Sequence, residues 1–273
     1  MASSKKLPTY YIPHGGGPCF YMEPQDGHKY GSAPMWRNMQ TWLENFAKDL
    51  AEPPKALLVI SAHWEEKVAS VLTNPAPPLL FDYYGFPKHT YELTWPAPGS
   101  PELAGRVRNL LQNAGIESRE DSSRGFDHGV FVPLKLTFPN ADVPTVQLSL
   151  RAGLDPAEHL KIGRALAPLR EEGVLIIGSG LSYHNMRGFG QAWSRPHSER
   201  FDAWISSVVA DAPGARDAAL SAWKKAPSAI ESHPREEHLM PLMVAAGAAG
   251  DDRGEAVFRD QVLGVVVSGI RFG

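Results

Sequence analysis

One cysteine, Cys19, is all the thiol that these 273 residues contain. An internal disulfide is excluded, and a reducing compartment, the cytoplasm, is the expectation. No apolar run approaches the ~20 residues that a membrane-spanning helix needs. The opening residues MASSKKLPTYYIP carry charge but no apolar core, so no secretion signal is expected. A basic excess is missing too: 27 Lys and Arg face 30 Asp and Glu, a net charge of −3. A phosphate backbone would find no positive field, which argues against nucleic acid as a partner. Common local signatures of chemistry are also absent. The sequence has no HExxH pair, no CxxC, no EF-hand loop and no GxSxG elbow, and no GKS or GKT follows the GGG after His14.

What is present is a globular make-up, 43% hydrophobic and 21% charged, with 24 prolines and 10 histidines. Apolar runs alternate with amphipathic stretches. Leu7 to Ile12, ALLVISAHW, VPTVQLSL and VLIIGSG read as strands, with VASVLTN as the neighbour of ALLVISAHW. Trp36, Met39, Leu43, Phe46 and Leu50 recur at helical spacing. PELAGRVRNLLQNAG reads as a helix with Pro101 at its start and Gly115 just past its end. Asp155, Pro156 and Glu158 open another, as cap, first residue and third. Further helices are expected at about 195–210, 217–226 and 234–249, and the end of the chain as a hairpin. The proline- and aromatic-rich stretch from Pro75 to Pro101 reads as a long ordered loop. The order argues for an α/β fold with a mixed, largely parallel central sheet flanked by helices. No linker divides it, so residues 1–273 read as a single domain.

The histidines sort by position. His14, His63 and His184 each fall just past the carboxyl end of an expected strand, where open α/β sheets bind ligands. One such histidine is unremarkable as a solvated turn residue; three are harder to assign to chance. His128 stands beside Asp127, which either orients its ring or caps a turn. In SHPREEHLMPL, Pro234 suits a first helical position, with His233 as the cap and His238 inside the helix. Side chains five residues apart point ~140° apart on a regular helix, so one ion cannot readily take both. Pro241 should bend that helix near His238 and turn its ring inward. The cap residue His233 would then face a substrate. His28, His89, His159 and His197 are expected to be structural or exposed. Cys19 is a possible nucleophile, although a lone buried thiol is more often inert.

Taken in order, HGGGP, SAHW, GFDHGVFVPL, GSGLSYHN and HPREEHLMPL resemble the class III extradiol ring-cleavage dioxygenases, in particular the DOPA 4,5-dioxygenase branch. The matches run from His14 to Pro241. FDYYGFP is similar as well, whereas HGGGP departs from the HGSP usual in that branch. The resemblance implies an α/β fold with a mononuclear non-haem metal in a cleft at one sheet edge. It maps His14, His63 and His238 onto metal ligands, with His238 where many class III members have glutamate. His184 matches a histidine acting as acid/base or as an additional ligand, and His128 one placed toward the substrate. Fe(II) is the metal expected for turnover, and an all-imidazole site also suits Zn(II). The implied reaction takes a small-molecule catechol, DOPA-like in this branch, and O2 to a muconic semialdehyde. Tyr and Trp of the Pro75–Pro101 loop would wall the ring or serve as packing. Two other readings stand beside it: a zinc hydrolase with Glu236 or Glu237 as base, and a non-catalytic metal-binding protein on the same scaffold. A monomer or homodimer is expected.

Overall fold

The computed structural model describes residues 6–27 and 32–273; His28 lies outside them. In chain order the strands are β1 (Thr9–Pro13), β2 (Ala56–Glu66), β3 (Ala69–Leu72), β4 (Ser118–Asp121), β5 (Thr145–Arg151), β6 (Val174–Gly180), β7 (Gly254–Val262) and β8 (Val265–Phe272). The helices are α1 (Arg37–Leu43), α2 (Pro101–Asn113), α3 (His128–Thr137), α4 (Pro156–Leu166), α5 (Ser194–Val209), α6 (Pro213–Ser221), α7 (Ala229–Ser232) and α8 (Met240–Ala249). The strands form one sheet in the order β4-β3-β5-β2-β6-β1-β8-β7. Four neighbouring pairs are parallel (β4–β3, β5–β2, β2–β6, β6–β1), and β3–β5, β1–β8 and β8–β7 are antiparallel. The mixed, largely parallel α/β sheet expected from the sequence is what the chain forms.

Period-2 alternation feeds two cores, one on each face. Leu58 and Ile60 of β2 with Val174 and Ile176 of β6 join the core under α2, α4, α5 and α8. Leu57, Val59, Leu175 and Ile177 join the core under α1 and α3. Because the central strands are buried on both faces, their sequences read as unbroken apolar runs. The cap reading at Asp155 holds: its side chain accepts from the Glu158 N–H at 2.9 Å, worth ~1 kcal/mol.

Three features differ from the sequence reading. β3 does not neighbour β2; β5 lies between them. β4, sequence SRED, is an edge strand that no apolar pattern announces. The helix expected from Pro234 begins only at Met240, and 229–232 forms the separate short α7. Pro241 is therefore near the start of α8, where its missing N–H costs nothing, and it bends no helix at His238. All ten residues of α8 are buried, so it is apolar all round. Its approach to the sheet depends on glycine: a Cβ at Gly178 would stand 2.3 Å from the Pro241 carbonyl oxygen, and one at Gly180 would stand 2.1 Å from that of His238. Among the described residues no helix is long and apolar enough to cross a membrane.

Candidate metal centre and cleft

β2, β6 and β1 are parallel neighbours, so their carboxyl ends share one rim. His14 follows β1 directly, its N–H on the Gly180 carbonyl at 3.1 Å. His63 sits in β2 where the register against β5 shifts between Ile60 and Glu65. Such an irregularity re-aims a side chain toward a site. His184 lies in the loop after β6, its N–H on the Ser232 carbonyl at 2.9 Å. His128 is the first residue of α3. His238 occupies the turn before α8, and its carbonyl accepts from the Tyr11 hydroxyl at 2.7 Å. Five segments thus converge on one cleft of about 640 Å³.

The histidines form two groups. His14, His63 and His128 offer ring nitrogens within 4.8 Å of one another, and so do His184 and His238 with Glu237. His14 links them, its ring centre 5.2 Å from that of His238 and 4.9 Å from that of His63. Hydrogen bonding decides which nitrogen carries the proton in His14, His184 and His238. The Ser179 hydroxyl donates to the Gly129 carbonyl, so toward His14 Nδ1, at 3.0 Å, it can only accept. His14 is therefore protonated at Nδ1 and carries its lone pair on Nε2. Glu237 Oε1 lies 3.0 Å from Nδ1 of both His184 and His238. A carboxylate only accepts, so both rings present Nε2 lone pairs as well. The two rings stack, centres 3.3 Å apart and 16° from parallel. His14 Nε2 and His63 Nε2 face each other at 3.1 Å.

Electrostatics agree with this pattern. Burial pushes His14, His63 and His238 well below the ordinary imidazole range, with neighbouring histidines depressing all three further, so they are neutral donors of a lone pair. Burial alone would raise Glu237, but the hydrogen bond from His184 and the nearby Arg235 guanidinium outweigh it and hold the carboxyl below its usual value. At Asp82 burial again opposes ionisation. The bond from His128 prevails and brings that carboxyl to about 2.

A metal ion fits the His14 and His63 nitrogens. Two nitrogens each ~2.1 Å from one ion, at right to tetrahedral angles, stand ~3.0–3.4 Å apart. The His14 and His63 separation matches this, and both His14 and His238 have the outer partner that metal-bound imidazoles usually keep on the second nitrogen.

Other expectations resolve differently. His128 Nδ1 is held by Asp82 at 2.8 Å, not by Asp127. Asp127 is fully buried behind β2, taking bonds from Ser61 at 2.7 Å, Arg124 at 3.1 Å and Gln147. His233 does not reach the cleft. It is buried between Phe201 and Trp223 and bonded through Nε2 to the Ser182 carbonyl at 2.9 Å, because the end of α7 turns it into the core. The substrate role expected of it is corrected on that ground. Cys19 is buried with its thiol pushed far up by desolvation, so it is no nucleophile. His89, His159 and His197 lie outside the cluster, on the Tyr21 carbonyl, the Asp155 carbonyl and Ser228. Tyr83 and Phe86 wall the cleft, whereas Trp95 packs on Phe126 away from it. Asp82 and Ser179 went unread in the sequence. The signal for Asp82 was its place in FDYYGFP; a serine in a buried strand gives none.

The catalytic LigB subunit of aromatic ring-opening dioxygenase is the family whose pattern matches residues 8–266. The chain belongs to that family. As a LigB-family protein it is an extradiol ring-cleavage dioxygenase and metal-dependent. It is 38% identical over 263 residues to the 4,5-DOPA dioxygenase extradiol of Beta vulgaris, covering 95% of this chain and 93% of that one. The protein of the same name from Escherichia coli K12 is 30% identical over 251 residues, 91% of this chain and 87% of that one. A crystal structure of an Escherichia coli K12 protein described as uncharacterized superposes with a TM-score of 0.74 at 26% identity, covering 98% and 100% of the two chains.

Proposed function

We propose that this LigB-family chain opens the ring of a catechol with a DOPA-like side chain, using Fe(II) held by His14, His63 and His238. The observation that carries this is the convergence of neutral imidazoles, Nε2 first, on the wall of one cleft. Bound Fe(II) would supply an attachment point for the vicinal oxygens and for O2 and pass electrons between them; Zn(II) suits the same ligands without that redox capacity. His184 is the base. Its Nε2 lone pair accepts the phenolic proton, and Glu237 on Nδ1 stabilises the imidazolium that results. His128, anchored by Asp82, offers its Nε2 edge to the substrate. Tyr83 and Phe86 flank the ring and keep water away. The product is a muconic semialdehyde.

A hydrolase would need a free carboxylate beside its water. Glu237 is taken by two imidazoles and Glu236 by Lys224 at 2.9 Å, which speaks against that reading. One sheet running through the described chain supports residues 1–273 as one catalytic domain, a cytoplasmic monomer or homodimer in this proposal. The test is anaerobic loading with Fe(II), then a catechol panel under isotopically labelled O2. The expected product is heavier by both oxygen atoms, with matched oxygen uptake. Unlabelled quinone alone, across the panel, would overturn the proposal.

A further inference from the structure

Four charged side chains besides histidine line the cleft: Glu65, Asp82, Arg235 and Glu237. Two of them are occupied with imidazoles, Asp82 with His128 and Glu237 with His184 and His238. The other two face each other, Arg235 donating to Glu65 Oε2 at 2.6 Å. This pair is open to solvent, with 57% of the Arg235 side chain and 24% of the Glu65 side chain exposed. It is also tied to the cluster at both ends. Glu65 is two residues past His63 in β2. Arg235 is three residues before His238 and lies 3.4 Å from Glu237 Oε2, whose other oxygen holds His238. One carboxylate therefore separates the guanidinium from the imidazoles. The cleft, at about 640 Å³, leaves room beyond a six-carbon ring with two hydroxyls.

We propose that the Glu65–Arg235 pair reads the charged tail of the substrate and selects a zwitterionic, α-amino-acid head. The inference rests on the ring-opening reading and adds to it the residues that set specificity. The reasoning is one of charge pairing. A tail with only a carboxylate meets Arg235 but sets a like charge beside Glu65. A tail with only an ammonium meets Glu65 but sets a like charge beside Arg235. A head with both lies across the pair with each charge opposite its complement, and the fork of the guanidinium suits a carboxylate. The pair needs no new buried charge for this, because it is already ionised and partly hydrated.

The experiment uses the Fe(II)-loaded full chain, with metal content measured for each variant. Four catechols are compared: 4-methylcatechol, one with a propionate tail, one with an ethylamine tail, and DOPA with both. For the natural chain kcat/KM should be highest on DOPA. Arg235→Gln should lower the ratio of propionate- to ethylamine-tailed kcat/KM by roughly 3–10-fold, and Glu65→Gln should raise it by a similar factor. The change should sit in KM more than in kcat. A pair that merely braces the cleft would move both ratios in the same direction, or neither, and either result overturns the proposal. If 4-methylcatechol is opened but the ratios stay fixed, the head-group reading alone fails. If no catechol is opened by metal-loaded protein, the ring-opening reading fails and takes this one with it.

Discussion

Replacing Glu237 by Gln isolates what one carboxylate does for two histidines. Its Oε1 is 3.0 Å from Nδ1 of both His184 and His238. Glutamine keeps the shape, but it loses the charge, and its amide oxygen is a weaker acceptor for two N–H donors at once. His238 then loses much of the bond that fixes its tautomer with Nε2 facing the cleft. Losing one such outer partner of a metal-bound imidazole weakens metal affinity about 10–100-fold, which is ~1.4–2.7 kcal/mol. Independently, the His184 imidazolium loses its counter-charge, so turnover at saturating Fe(II) should also fall. Anaerobic competition against a chromophoric chelator reads the first effect, and oxygen uptake at saturating metal reads the second. Ser179→Ala is the companion, since His14 is the one imidazole that it deprives of a partner, together with the bond to the Gly129 carbonyl, and it should weaken the metal without the turnover loss. Wild-type affinity and wild-type turnover in Glu237→Gln would refute the reasoning, leaving Glu237 as no more than a neighbour of Arg235.

His184→Ala should keep most of the metal while turnover drops ~10²–10⁴-fold, the usual cost of a lost acid/base; His238→Ala should lose the metal, and the reverse pattern by elemental analysis would exchange their roles. His233→Ala should retain metal and lower the melting temperature, because its ring fills the space between Phe201 and Trp223; loss of metal with an unchanged melting temperature would return it to the site. Stability of the metal-free protein should fall as pH drops from about 6.5 to 5. Burial lowers His159, and lowers His233 to about 3, so just below ~6.5 the unfolded chain binds protons that the folded one does not, costing up to ~1.4 kcal/mol per pH unit for each group. His159→Gln should flatten the slope in denaturant titrations; an unaltered slope, or none in the parent, would contradict this.

Much of the scaffold was legible because its signals are local. The apolar runs of β1, β2 and β6 and the cap at Asp155 follow from short windows of sequence, and a histidine at the end of each of those strands marked the rim. What failed depends on partners distant along the chain. β4 is visible only through its pairing with β3, and the insertion of β5 between β2 and β3 is a choice among whole-sheet topologies. Pro234 resembled a helix start, but the chain at 233–238 follows the docking of His238 against Gly180 and Tyr11 rather than local propensity. Asp82, Ser179 and the double role of Glu237 escaped for the same reason, since a hydrogen-bond partner 46 or 165 residues away leaves no periodic trace.

β1 lies between β6 and β8, so the strand made first finds both neighbours near the middle and the end of the chain. Such long-range pairing sets a slow order of assembly, because loop closure must precede the contacts that reward it. A chain emerging from the ribosome has His14 and His63 long before His184 and His238 exist, and His238 is seated only when the turn before α8 packs against β1 and β6. The five cleft histidines therefore come together only in the finished fold. A fragment that ends before β6 therefore lacks two of the five histidines that line the cleft.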